Sequence, residues 1–238
     1  MIQDFAILTF PEIIQEQNQW CWAGVSAAIF DYFDNSVEQC EIAEYTRTVA
    51  TWHDFGSVDC CVNPNTGCNY WNYNWGTNGS IEDILESMQA RVNIQNYGVG
   101  RSLTISEIES DLFMDNPFVI RWGWDAGGGH FLVGYGIDGN YLHYMDPWFG
   151  EGHKMGTYDW VSSGGGHTWT HTNRLTSVFM YGDIDGSKHL DLVDVILSLQ
   201  LSTGAENIPA NLGADINNDG KIGMPEALYL LGRISGIR

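Results

Sequence analysis

The 238-residue chain is long enough for one sizeable domain, or for one of roughly 180 residues with a small appendage, at the usual ~100–200 residues per domain. Its 44% hydrophobic and 13% aromatic content, with ten Trp, supports a buried core and excludes global disorder. Thirty acids against ten bases give a net charge of −20, which repels phosphate backbones and anionic lipid and so excludes nucleic acid and membrane surfaces as partners. No apolar run approaches the ~20 residues that span a bilayer. The start, Met1 to Phe10, has no basic stretch ahead of its apolar residues and carries Asp4, so it does not read as a signal peptide. It fits a cytosolic protein, or the mature form of a secreted one whose leader lies outside this sequence.

Cys21 to Asp34 places Trp22, Val25, Ile29 and Phe33 on one stripe at helical spacing, with small Ala27 and Ala28 between them, and predicts a helix opening on Cys21. Cys40, Cys60, Cys61 and Cys68 follow in a stretch that ends in loop-like sequence. Two disulfides plus a free Cys21 is the economical reading, and it implies an oxidising compartment. A four-cysteine zinc site is the rival, although the spacing lacks the paired C-x2-C knuckles of such sites. Adjacent Cys60 and Cys61 would rarely bond each other; the pairing is otherwise open. Ser80, with Asp83 three residues on, starts a second helix, and a third runs from Ser106 to Met114 after a capping pattern at Thr104. From Pro117 the chain turns to β-branched and aromatic runs, FVIRWGW, HFLVGYGI and YLHYMDPW, with Asp138-Gly139 as the turn between the last two. Helices first and antiparallel strands later predict an α+β architecture with a cleft where the halves meet.

A thiol at a helix N-terminus meets backbone N–H groups and the positive end of the helix dipole, which favours the thiolate nucleophile. Such a nucleophile needs an imidazole, and the imidazole needs a group to orient it. His130, behind Gly127-Gly128-Gly129, and Asp146, ending the next strand, are the candidates. Register decides whether they meet. A strict two-residue loop at Asp138-Gly139 sets Asp146 opposite Phe131, on the wrong face. A three-residue loop or one β-bulge sets it opposite Leu132, diagonal to His130. His167 and His171 are four apart, but Gly164, Gly165 and Gly166 argue against the helix a metal pair would need. His53, His143 and His153 have no evident partner.

Gln15, five residues ahead of Cys21-Trp22-Ala23, with GGGHFLVGYG and YMDPW downstream, resembles the papain-like cysteine peptidases, nearest their bacterial secreted branch with a Q-x5-CWA pattern. The resemblance spans roughly residues 8–180, and Gln39-Cys40, Cys60-Cys61 and Cys68 share in it. It implies helical and antiparallel-sheet subdomains around a cleft, with a protein or peptide as substrate and no cofactor for catalysis. Cys21 would be the nucleophile, and His130 the general base and then acid. Asp146 would orient the imidazole, where many relatives use Asn. The Gln15 amide and the Cys21 N–H would form the oxyanion hole, and Trp148 would shield the His–Asp bond. The chain lacks a Cys-Gly-Ser before the nucleophile, and Gly24 stands where a second Ala is usual. An acyl transferase of transglutaminase type uses the same Cys-His-Asp order, and a catalytically silent module could keep the fold. The acidic domain would attract cationic substrates.

Composition changes near Gly182, which divides the chain into 1–181, with 22 acids and 6 bases, and 182–238, with 8 acids and 4 bases. In the second part Asp215, Asn217 and Asp219 supply oxygens at positions 1, 3 and 5 of a twelve-residue calcium loop. Gly220 allows the sharp turn, Lys221 offers its carbonyl, Gly223 follows at position 9, and Glu226 closes the loop. A degenerate copy runs through Asp183, Asp185, Ser187, His189, Asp191 and Asp194, with Lys188 where the turn glycine belongs. Each loop is followed by one helix pattern, VDVILSLQL or EALYLLGRI. A duplicated calcium loop with only a trailing helix resembles the dockerin module of secreted bacterial enzymes, over residues 182–236. This resemblance implies a small α-helical, EF-hand-like module folded by one or two structural calcium ions. A cohesin-like partner would dock on its second helix; alternatively the pair closes back on the larger domain.

Overall fold

The computed structural model describes residues 5–88, 92–205, 208, 210–217 and 219–235. Asp4 and the last residues of the tandem-loop segment, 236–238, lie outside them. In chain order the elements are β1 (Phe5–Ile7), α1 (Cys21–Tyr32), α2 (Gln39–Val49), α3 (Ile81–Ser87), β2 (Val92–Val99), α4 (Ile105–Phe113), β3 (Phe118–Trp124), β4 (Gly129–Asp138), β5 (Tyr141–Asp146), β6 (Gly152–Thr157), α5 (Tyr158–Ser162), β7 (Ser163–Gly164), β8 (His167–Met180), α6 (Leu192–Ser202) and α7 (Met224–Ile234). The mixed α+β architecture with an antiparallel sheet is the one the order of helical and strand patterns predicts. Among the described residues no helix is long and apolar enough to cross a membrane.

α1 opens on Cys21 as its spacing predicts, but it is not a one-striped helix. Every residue from Trp22 to Phe30 is buried. A helix apolar all round is covered on all sides, and α1 packs against α2, α3 and β4. The caps of α3 and α4 are those expected: the Ser80 hydroxyl accepts the Asp83 N–H, and Thr104 forms a reciprocal capping box with Glu107.

The sheet runs β2-β8-β3-β4-β5-β6, with β1 beside β4 and β7 beside β8. β4 is its hub, paired with β3 along its first half, with β1 along its second, and with β5. Leu103, Ile108 and Leu112 pack with Phe118, Ile120, Trp122, Leu132, Leu142 and Trp169 in one core cluster over the sheet. The β4–β5 loop differs from expectation by one residue. Asp138 pairs with Tyr141, so the turn is Gly139-Asn140, and Gly139 takes the positive φ of 57° that its first position requires. From there Ile137 faces Leu142 and Gly136 faces His143; a bulge at Tyr135 then shifts the register, and Val133 faces Met145. Continued one step, this pairing sets Asp146 opposite Leu132, the alignment the catalytic hypothesis requires.

Cys40 bonds Cys61 and Cys60 bonds Cys68, which leaves Cys21 as the free thiol and no thiolate set for zinc. The second bridge fixes a segment that the start of α1 grips. The Trp20 indole donates to the Cys68 carbonyl (2.8 Å) and the Trp22 indole to the Tyr70 carbonyl (3.0 Å). By internal contacts the chain divides into one unit of Met1–Tyr32, Ser36–Gln89 and Gln95–Thr176 and another of Phe33–Asn35, Ala90–Ile94 and Ser177–Arg238. In the second unit α6 and α7 pack together around Ile184, Val195, Ala214, Ile222 and Leu230.

Replacing Cys40 and Cys61 by Ser is expected to lower unfolding free energy by about 3 kcal/mol, and replacing Cys60 and Cys68 by about 2 kcal/mol because the loop is shorter. Denaturant titration of the two double variants checks the order.

Candidate active site

Cys21 is the first residue of α1, half-buried, where a helix leaves its N–H groups without intrahelical acceptors. His130 stands near the start of β4 and Asp146 at the end of β5, both buried. His130 Nε2 lies 2.7 Å from Asp146 Oδ1, and the same oxygen accepts the Trp148 N–H at 2.8 Å. Nε2 being engaged, Nδ1 is the ring nitrogen left for Cys21, whose sulfur is near enough to act on the charge of the imidazole. Burial alone would push the imidazolium pKa down; the Asp146 carboxylate and the Cys21 sulfur outweigh it and raise the pKa to about 10. Trp124 stacks along one side of the His130 ring at 6.3 Å, and Trp148 meets it edge-on at 6.3 Å.

Gly24, one turn into α1, holds these pieces together. A Cβ there would lie 3.1 Å from Pro147 Cβ and 3.5 Å from Gln15 Cα. Its bare backbone therefore lets both the Asp146-Pro147 turn and the Gln15 segment close on α1. The Gln15 N–H donates to the Pro147 carbonyl at 2.7 Å and ties those two segments to each other. The Gln15 amide Nε2 donates to the Gln17 carbonyl (2.7 Å), which fixes the nitrogen end and leaves one amide N–H uncommitted; its buried Oε1 has no partner.

Gln15, Cys21, His130, Asp146 and Trp148 all line one cavity of about 810 Å³. Its walls also include Asn72 and the exposed Trp71 and Tyr73, carried by the segment that the Cys60–Cys68 bridge anchors. Arg121 of β3 lines it too. The sequence patterns do not single out Arg121, Trp71, Tyr73 or Trp124; a lone cation inside the apolar run FVIRWGW was the one visible sign. The remaining histidines pack. His167 Nε2 faces the Trp160 and Val161 carbonyls (3.1 and 3.2 Å), His171 stacks on Trp75, and His53 on Tyr70 at 3.5 Å.

In the second unit the two acidic loops repeat one geometry. Asp183 Oδ2 accepts the Lys188 N–H (3.0 Å) as Asp215 Oδ2 accepts that of Gly220 (2.7 Å). Lys188 and Gly220 both hold positive φ, 62° and 78°. Lys188 thus adopts the turn conformation despite its side chain, at a cost of about 1–2 kcal/mol. Asp194 folds back to accept the Ile184 and Asp191 N–H groups, as Glu226 accepts those of Ile216 and Gly223. Among the described residues, Asp183, Asp185 and Asp194 bring carboxylate oxygens within 4.8 Å of one another, and the buried Asp183 Oδ1 has no partner. Burial, with the Asp194 and Asp185 charges, raises the Asp183 pKa to about 6. Among the described residues no other group of expected carboxylate ligands is gathered in this way. The Ser187 hydroxyl bonds the His189 carbonyl, and Asp191 caps α6. Asp219 accepts from the Asn217 amide and from the Lys221 N–H, and among the described residues Asp215, Asp219 and Glu226 form no carboxylate group of that kind.

Residues 7–177 match the model of the Peptidase_C39 like family. The peptidase domain of Streptococcus ComA, a bi-functional ABC transporter involved in a quorum sensing pathway, is similar at 13% identity and TM-score 0.47, over 69% of this chain and 96% of its own. A Bacillus anthracis protein with a provisional C39-like peptidase assignment is similar at 15% and 0.48, over 73% and 98%. A double glycine motif protease from an AMS/PCAT transporter, solved with its leader peptide, is similar at 17% and 0.39, over 72% and 95%. With TM-scores below 0.5, none of the three decides the fold or the chemistry. A comparison with curated proteins returns no match.

His130 binds its proton more tightly in the folded chain than in the unfolded one, where it titrates near ~6.5. The stability it contributes is therefore complete below about pH 6.5 and is lost as pH rises through about 10. The difference in unfolding free energy between the wild type and His130→Gln should shrink across that window. Gly24→Leu should overpack the contact at α1, lowering stability by about 1–3 kcal/mol in denaturant titration and displacing Pro147 with Asp146 beside it.

Proposed function

The chain belongs to the Peptidase_C39 like family, and from that premise we propose a cysteine peptidase that cleaves peptide bonds through Cys21, His130 and Asp146. The observation that carries this reading is the imidazole held at 2.7 Å by Asp146 in the same cavity as a free thiol at a helix N-terminus. The Cys21 thiolate attacks the scissile carbonyl carbon, and the charge moves to the carbonyl oxygen. The Cys21 N–H and the uncommitted Gln15 amide N–H receive that oxyanion. As the intermediate collapses, His130 Nδ1 gives its proton to the departing amine and a thioester remains. His130 then takes a proton from water, whose oxygen attacks the thioester and releases the acid and the thiolate. Asp146 keeps the ring in the tautomer and orientation both steps need, and Trp148 limits water at the His–Asp bond.

We further propose that residues 182–238 form a dockerin-like calcium module, and that the protein is secreted. Three gathered carboxylates and an orphaned buried oxygen, Asp183 Oδ1, fit a hard divalent cation, which would offset their repulsion. Two disulfides support an oxidising compartment. For docking, the support is a repeated apolar stripe. Leu192, Ile196 and Leu199 on α6 are exposed, and so are Met224, Leu228 and Leu231 at the equivalent places on α7. A cohesin-like protein is the partner such paired stripes would receive.

Turnover of a proteome-derived peptide mixture, read by mass spectrometry, tests the peptidase. Cys21→Ala should abolish cleavage, and Gln15→Ala should lower kcat ~100–1,000-fold. Asp146→Ala should lower kcat with KM little changed, and Asp146→Asn should restore most of it. Products that carry an added amine in place of a free acid would mean acyl transfer instead. Calcium should stabilise 182–238 in the full chain by about 2.7 kcal/mol per site at a hundredfold excess over Kd, read as a higher melting temperature. Asp183→Asn should remove the shift, while cleavage by the first unit continues in chelator.

A further inference from the structure

In the first unit nearly every described cation is neutralised. Arg47 pairs with Glu44 (2.6 Å), Arg101 with Glu107 (2.7 Å), Lys154 with Glu151 (2.7 Å) and Arg174 with Asp111 (2.6 Å). Arg121 is the exception: no carboxylate among the described residues reaches its guanidinium. It is also the only described Lys or Arg lining the cavity that holds Cys21 and His130. A chain with thirty acids has left this one cation unpaired beside its nucleophile.

The guanidinium is nonetheless held in place. Nη1 donates to Thr170 Oγ1 at 2.8 Å, and the Thr170 hydroxyl donates to the Arg121 carbonyl at 3.2 Å. Nη2 lies over Gly129, where a Cβ would sit only 2.9 Å away, so the bare backbone before His130 is what admits it. Burial pushes the Arg121 pKa down, with the Cys21 sulfur and Tyr73 acting in the opposite direction. A half-buried cation without a counter-ion is a cost to the fold, and a planar, pre-positioned fork is the group that best repays it by binding a carboxylate.

Resting on the peptidase reading, we propose that Arg121 is a specificity-determining residue that receives a substrate carboxylate beside the bond Cys21 attacks. That carboxylate is an Asp or Glu side chain, or the α-carboxylate of a peptide ending in the cleft. The preference is local and runs against the long-range field of the acidic domain, which gathers cations.

The full chain with Cys21→Ala binds without cutting and separates the two ideas. Calorimetric titration would use N-acetyl peptide amide pools with one position fixed as Asp, Asn or Lys, and the Asn pool remade with a free C-terminus. The Asp pool should bind about tenfold or more tighter than the Asn pool if a side chain is read. The free-acid pool should gain instead if a terminus is read. Either gain should vanish with Arg121→Gln and survive in part with Arg121→Lys, which keeps the charge and loses the fork. Equal binding of all pools, or a carboxylate gain that persists in Arg121→Gln, overturns the proposal. The same pools offered to the wild type report on the chemistry separately. A carboxylate preference in binding with no pool cut refutes the peptidase and leaves the Arg121 site standing. Cleavage that ignores the carboxylate refutes the Arg121 site and leaves the peptidase standing.

Discussion

One extra residue in a strand governs how His130 and Asp146 meet. Side chains alternate along β4 and β5, so the two-residue turn alone would carry Asp146 to a partner one place from the one it has. The bulge at Tyr135 removes that offset, and the His130–Asp146 bond follows from it. The imidazole, buried between Trp124 and Trp148, then has one nitrogen committed and one free. Nothing in the helical half could supply this alignment, because α1 only brings the thiol to a place the sheet has already prepared.

The helical half answers with a constraint of its own. At Gly24 α1 comes close to both the Gln15 segment and the Asp146-Pro147 turn, so the Cys21 helix, Gln15 and Asp146 approach across a gap that holds no side chain. The disulfides extend this to the wall of the cavity. With Trp20 and Trp22 bonded to carbonyls at 68 and 70, the Cys60–Cys68 segment is registered to the same helix turn that carries Cys21. A small loop-rich segment is thereby tied to the helix that opens on Cys21.

Much of this was legible in the residues. The helix opening on Cys21, the caps at Ser80 and Thr104, the three strands after Pro117 and the spare thiol are local patterns, and local physics decides them. The hairpin was legible only as a condition, since Asp138-Gly139 allows several loop alignments; the actual turn, Gly139-Asn140, is chosen by pairing along the whole strand. All-round burial of α1 was not legible, because cover from α2, α3 and β4 is a tertiary fact. The isolation of Arg121 was hidden for the same reason: which cations find acids is settled by folding, not spacing. Lys188 misled in a different way. Its side chain argued against a loop turn, yet the backbone takes the left-handed conformation there as it does at Gly220.

The aromatic lining of the cleft has an optical consequence. Trp71, Trp124 and Trp148 are each partly exposed and all border the one cavity, while Trp20 and Trp22 are sealed in the interior. Whatever enters the cleft must strip water from the first three indoles and leave the other two untouched. Their emission shifts to shorter wavelength as they dry, and quenchers dissolved in the solvent lose access to them. The protein thus carries its own gauge of whether the cleft is filled, readable in native chain without a label or a turnover event.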